Sequence, residues 1–221
     1  MRKTRIAPGE YYHIYNRGIG KQTIFHDKKD YTRFLFLVLY FQSSVSFPNI
    51  GRLVKQFVQY RVLNNVDVSE ITVKRKVELS AFCIMPNHFH LIVKEREENA
   101  ISAYMQRVLN AYAKYFNTKY DKSGHVFQGP YRAVLVEDDN QLLYLSAYIH
   151  RNPREIPGWL NREQQYEWSS YLDFVEENRW GDLLLPDIVL DQFENKNKYK
   201  KFIQTSTSKL LEKELDSLAY L

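Results

Sequence analysis

Two apolar stretches, residues 77–84 and 88–94, stand in tandem with only Met85, Pro86 and Asn87 between them. A link that short cannot carry a crossover, so if both stretches are strands they are antiparallel neighbours. Pro86 has no amide to give to a ladder and Asn87 tolerates turn backbone, so the break falls at this pair. On the second strand, alternation puts His88 and His90 on one face and Phe89, Leu91 and Val93 on the other, where they can anchor the strand to a core.

The rest of the sequence offers elements to cover such a hairpin. Residues 11–15 read as a first strand, stopped by Asn16-Arg17-Gly18 as a turn. Asp27 is placed to cap a helix over 28–42, with Tyr31, Phe34, Leu35 and Val38 on one stripe. A loop over 43–48 precedes a second helix over 50–63, with Leu53, Val54 and Phe57 at helical spacing. Ile101, Tyr104, Met105, Val108, Ala111, Tyr112 and Tyr115 recur at three and four, which predicts an amphipathic helix over 101–120. Lys122-Ser123-Gly124 ends it. A short strand over 131–136 follows, then a helix over 141–151 opened by Asp138-Asp139-Asn140 and stopped by Pro153. Helices around antiparallel strands make the class α+β. Signals weaken after Tyr171, so the expected division is one domain over 1–175 and a C-terminal helical appendage over 176–221, with a charge run at 196–201.

Composition narrows the setting. Cys83 is the one cysteine in 221 residues, which excludes an internal disulfide and a cysteine-built zinc site and predicts a reducing, cytoplasmic environment. The basic N-terminus lacks the apolar stretch of a signal peptide, and the longest apolar run, near 34–41, is too short to span a bilayer, so no membrane partner is expected. A net charge of +5 is compatible with a polyanionic partner without demanding one.

Two groups of residues carry possible chemistry. His88 and His90, one pleat apart, can share a divalent ion, although two histidines on a solvated strand face give the same pattern. Tyr148 and Asn152, four apart on a helix, share a face at the edge of the stripe Leu142, Leu145 and Ile149. A tyrosine at a stripe edge is ordinarily a packing residue with a wet tip.

The two groups fall inside longer motifs. The stretch Ala81-Phe82-Cys83-Ile84-Met85-Pro86-Asn87-His88-Phe89-His90-Leu91-Ile92 resembles the HUH segment of the single-tyrosine transposases. Gly124-His125-Val126-Phe127-Gln128 with Tyr131-Arg132-Ala133, and Ser146-Ala147-Tyr148-Ile149-His150-Arg151-Asn152-Pro153, are similar to the later segments of the REP-associated tyrosine transposases. Tyr12-His13-Ile14-Tyr15-Asn16-Arg17-Gly18 and Trp168-Ser169-Ser170-Tyr171 resemble that family's opening strand and closing motif. The resemblance runs in order from Tyr11 to Tyr171. The segments at 43–73 and after Phe174 exceed minimal insertion-sequence transposases, which favours the REP-associated type or an orphan relative.

The resemblance implies a central antiparallel sheet flanked by helices, similar to a ferredoxin-like palm. It further implies His88 and His90 as metal ligands for Mg²⁺ (or Mn²⁺), Asn152 as a third ligand, and Tyr148 as a nucleophile forming a 5′-phosphotyrosine on single-stranded, hairpin-containing DNA. The active form would be a monomer or homodimer. Arg2, Lys3, Arg5, Lys74, Arg75, Lys76, Arg107, Lys114, Lys122 and Arg132 are candidate phosphate contacts. An exposed Tyr12 is a candidate for base stacking. His13 and His150 are read as proton-handling, outer-shell or surface groups. Two alternatives stay open: a metal-dependent phosphodiesterase that activates water, and a domesticated, non-catalytic binder of structured nucleic acid.

Overall fold

The computed structural model describes residues 6–60 and 68–206. Its strands are β1 (Tyr11–Arg17), β2 (Val77–Met85), β3 (His88–Glu95) and β4 (Arg132–Leu135), and they form one sheet in the order β2-β3-β1-β4. All three pairings are antiparallel. Between β1 and β2 lie α1 (Lys28–Tyr40), α2 (Ile50–Tyr60) and α3 (Val68–Val73), and between β3 and β4 lies α4 (Ala100–Tyr120). Strand, helix, hairpin, helix, strand in this order is the ferredoxin-like arrangement. The chain is α+β, with the helix-flanked antiparallel sheet expected from the sequence. Residues 61–63 of the expected second helix lie outside the described residues.

The hairpin forms as its composition requires, with Met85 opposite His88 and Cys83 opposite His90. β1 is longer than the turn residues suggested. Asn16 pairs with Phe89 and Arg17 with His88, so the strand stops at Gly18 rather than at Asn16. The partner strand supplied the ladder that decided this; local turn propensity yielded to it. Gly18 is dictated by crowding, since a Cβ there would collide with the Gln22 carbonyl and meet the Ile24 side chain at 2.8 Å.

The two faces of the sheet are covered differently. Phe89 packs against Phe34 of α1 (ring centroids 4.9 Å apart), and Phe34 in turn meets Tyr112 of α4. α1 is buried along nearly its whole second half, Phe34 through Tyr40. Its start is set by Asp27, whose carboxylate accepts from the amides of Lys29 and Asp30. Buried Glu95, at the end of β3, accepts from the amides of Ala100 and Ile101 and so caps α4. On the opposite face lies α5 (Asp139–Arg151), begun by Asp138, which accepts from Gln141 N at 2.7 Å.

The chain after α5 braces that helix. Trp168 and Ser170 bond to the free edge of β2: Ile84 N donates to the Trp168 carbonyl and Phe82 N to Ser170 Oγ, both at 2.9 Å. Beyond α6 (Tyr171–Val175) and α7 (Asp187–Leu190), the charge run at 196–201 proves to be α8 (Lys196–Thr205), capped by Asn195. Tyr199 and Ile203 on its inner face are buried in the same core as the sheet. Spaced four apart, they give α8 an apolar seam within an otherwise charged sequence. Residues 207–221 of the expected helical end lie outside the described residues. Among the described residues no helix is long and apolar enough to cross a membrane.

Candidate active site

Register alone assembles one face of the site. Residues directly opposite in an antiparallel pair share a face. His88 stands opposite Arg17, and His90 opposite Tyr15, which in turn faces Arg132 on β4. His13, two residues before Tyr15, belongs to the same face. The apolar alternates Ile14 and Phe89 point the other way and are fully buried.

α5 closes over this face. The Tyr148 ring meets His90 edge-on at 5.2 Å between centroids and His13 at 6.2 Å. One turn on, Asn152 begins a short 3-10 turn, Asn152–Glu155, that Pro153 forces at the helix end. The amide Nδ2 of Asn152 donates to the Tyr148 carbonyl at 3.0 Å, so its Oδ1 is turned toward His88 Nε2, 3.3 Å away. His88, His90, Tyr148 and Asn152 line a cavity of about 520 Å³ that also includes Tyr15, Arg17, Lys21, Gln128, Arg132 and Glu155.

The imidazoles are held neutral by burial. Burial pushes His88 down from the usual histidine range; the Asn152 contact opposes this and Arg17 adds to it. His90 lies well below that range, again chiefly by burial, with His13 and His88 adding to it. Burial carries His13 down to about 3. His13 Nε2 and His90 Nδ1 are 2.8 Å apart, which leaves Nε2 as the His90 nitrogen available to the cavity. Two neutral imidazoles and an amide oxygen converging on a cavity are a donor set that suits a divalent cation and leaves coordination positions open. The third donor is an amide: among the described residues, no group of three or more His, Cys, Asp or Glu is placed to hold a metal.

The remaining sequence candidates are placed as follows. Arg2, Lys3 and Arg5 lie outside the described residues. Of the others, only Arg132 lines the cavity. Lys74 and Lys76 pair with Glu70 and Glu97 at 2.7 and 2.6 Å. Arg75 is nearly buried and donates to the Asp182 carbonyl. Arg107 donates to the carbonyls of Ser43 and Val45 and lies over Phe41. Lys114 is exposed on α4, and exposed Lys122 lies over Phe116. Tyr12 is not the exposed ring expected: it is 1% accessible, on the core face of β1, with its hydroxyl accepting from Ala7 N. Alternation from His13 already put it there. Nor are His13 and His150 surface groups, since both are buried. Tyr15, Arg17, Asn87 and Gln128 were quoted from sequence only within motifs, and Lys21 and Glu155 not at all, so none was named as a site residue; motif membership and the i+2 relation of Tyr15 to His13 were the available signals.

Residues 52–152 match the sequence family described as Transposase IS200 like. Over this segment the chain is similar to the IS200-like transposases. The segment begins in α2 and ends on Asn152, so it contains both imidazoles, Tyr148 and the amide, whereas the β1 residues of the site lie outside it. A solved structure of a REP-associated tyrosine transposase bound to a REP hairpin is similar over 85% of this chain and 92% of that one, with a TM-score of 0.53 and 13% identity. At that identity the likeness concerns the fold. No curated protein matches the chain.

Proposed function

We propose that this protein cleaves and rejoins single-stranded DNA beside a hairpin, using Tyr148 as a nucleophile that becomes linked to the 5′ phosphate. The observation that carries the reading is the approach of the Tyr148 ring to His90, on the same helix face that turns Asn152 toward His88. That approach occurs within one chain, which supports attack in cis and a competent monomer. The phenol oxygen forms the new bond to phosphorus, the bond to the 3′ oxygen breaks, and the phenol proton ends on that oxygen. The phosphotyrosine keeps the energy of a phosphodiester, so a 3′-hydroxyl can reverse the step and join new ends.

His88, His90 and Asn152 would hold Mg²⁺ or Mn²⁺, which when bound offsets charge on the scissile phosphate. Arg17, Lys21 and Arg132 at the cavity wall bind and orient the flanking phosphates. Tyr15, beside His90 on the open face, offers a ring against which an unpaired base can rest. We read residues 176–206 as a brace that fixes α5, and the setting as cytoplasmic.

The test is incubation with end-labelled hairpin DNA bearing a single-stranded flank, with Mg²⁺ or Mn²⁺, followed by a denaturing gel. The expected result is a protein-linked DNA band that disappears in Tyr148→Phe. Nicking that survives Tyr148→Phe would favour water as the nucleophile. Binding without nicking, unchanged by His88→Ala, would favour a non-catalytic binder.

A further inference from the structure

His88 touches two amide oxygens. Its Nδ1 lies 2.6 Å from Asn87 Oδ1 and its Nε2 lies 3.3 Å from Asn152 Oδ1. Both amides are fixed by bonds on their other side. Asn87 Nδ2 donates to the Lys21 carbonyl at 3.2 Å, and Asn152 Nδ2 donates to the Tyr148 carbonyl at 3.0 Å. The oxygens are therefore the atoms that face the ring, and each can only accept. A neutral imidazole has one ring proton for two such acceptors. The shorter contact takes it, so the proton sits on Nδ1 and the Nε2 lone pair faces the Asn152 oxygen. Two lone pairs turned toward one another at this distance repel unless a cation joins them. That is the arrangement of two ligands awaiting one ion.

We infer that Asn87 is a positioning residue that holds His88 in the Nδ1–H form, so that Nε2 is delivered bare to the cavity. Its place in the fold suits the task. Asn87 occupies the two-residue turn between β2 and β3, and its carbonyl accepts from Gly18 N at 2.8 Å, while Pro86 beside it accepts from Ile24 and Phe25. Both its side-chain amide and its backbone are thus tied to the chain that follows β1. Were Asn87 absent, the ring proton would move to Nε2, where Asn152 accepts it, and the ligand would be blocked.

The inference rests on the metal reading above, and the experiment separates the two. Ring-nitrogen NMR on metal-free protein should show His88 as the Nδ1–H tautomer, shifting to Nε2–H in Asn87→Ala. Calorimetric titration with Mn²⁺ should show Asn87→Ala binding roughly 10- to 100-fold more weakly, the usual range for losing an outer-shell partner. Asn87→Asp, which keeps the acceptor oxygen, should restore both the tautomer and the affinity. Nε2–H on His88 in the unaltered protein overturns the inference, as does Asn87→Ala binding Mn²⁺ as tightly as the parent. If His88 carries Nδ1–H, moves its proton in Asn87→Ala, and the parent still fails to bind Mn²⁺, the positioning role stands and the metal reading falls.

Discussion

The α5 helix carries two polar sites on opposite sides, and they are built on opposite terms. On the side facing α6 and α8, His150 is fully buried and both ring nitrogens are matched: Nδ1 lies 2.6 Å from the Tyr199 hydroxyl and Nε2 lies 2.7 Å from Ser170 Oγ. Tyr199 donates onward to Ser146 Oγ at 3.1 Å, and Ser146 to the Leu143 carbonyl. Every donor in that chain meets an acceptor, which is how a buried polar network contributes to stability. On the side facing the sheet, His88 Nε2 lies 3.3 Å from Asn152 Oδ1, two acceptors face to face under the tautomer inferred above, and His13 Nδ1 is buried without a hydrogen-bond partner among the described residues. A satisfied network holds the helix still; the mismatched one lies where the proposed chemistry would take place.

The largest expected contrast comes from truncating one histidine on each side. His88→Ala should reduce the DNA-linked band by more than the roughly 100-fold typical of losing an outer-shell partner, because the proposed direct ligand is removed, with little change in urea stability. His150→Ala should instead cost roughly 3 kcal/mol of stability by opening a cavity and stranding two buried hydroxyls. Equal loss of stability in the two variants would break the comparison.

Acid should sharpen it next. Burial drives His150 down to about 3 in the folded chain, whereas an unfolded histidine protonates near ~6.5. Between those values the unfolded state binds the extra proton, so this contribution is intact above ~6.5 and is lost as pH falls, at about 1.4 kcal/mol per pH unit. Denaturation at pH 7 and pH 5 should show His150→Phe with a shallower acid slope than the parent; parallel curves would mean His150 is not held neutral. The smallest effect is expected from Tyr199→Phe, which removes one hydroxyl and leaves the ring, costing about 1–2 kcal/mol through the unpaired His150 nitrogen. A neutral result would show that α8 holds α5 by packing alone.

How much of this was legible in the sequence follows from the range of the forces involved. The hairpin, the start of α1 at Asp27, the start of α5 at Asp138 and the shared face of His88 and His90 rest on alternation, capping and turn chemistry, all of which act within a few residues. The limits of β1 did not follow from that, because Asn16 and Arg17 are good turn residues until β3 offers them a ladder. α8 was hidden in the same way: its lysines are visible locally, but Tyr199 becomes a core residue only when His150 and Phe174 are there to meet it.

By itself the sequence determined which residue types could do chemistry here, a paired imidazole on a strand and a phenol four residues from an amide on a helix, because periodicity fixes faces. Only the tertiary structure decided that these two faces meet, that Tyr15, Arg17 and Arg132 share the floor with the imidazoles, and that Asn87 and Asn152 set the two sides of one ring. Apart from Asn87, which is next to His88 in the chain, those contacts join residues about 60 to more than 110 positions apart, and strand register with helix packing, rather than any local preference, brings them together.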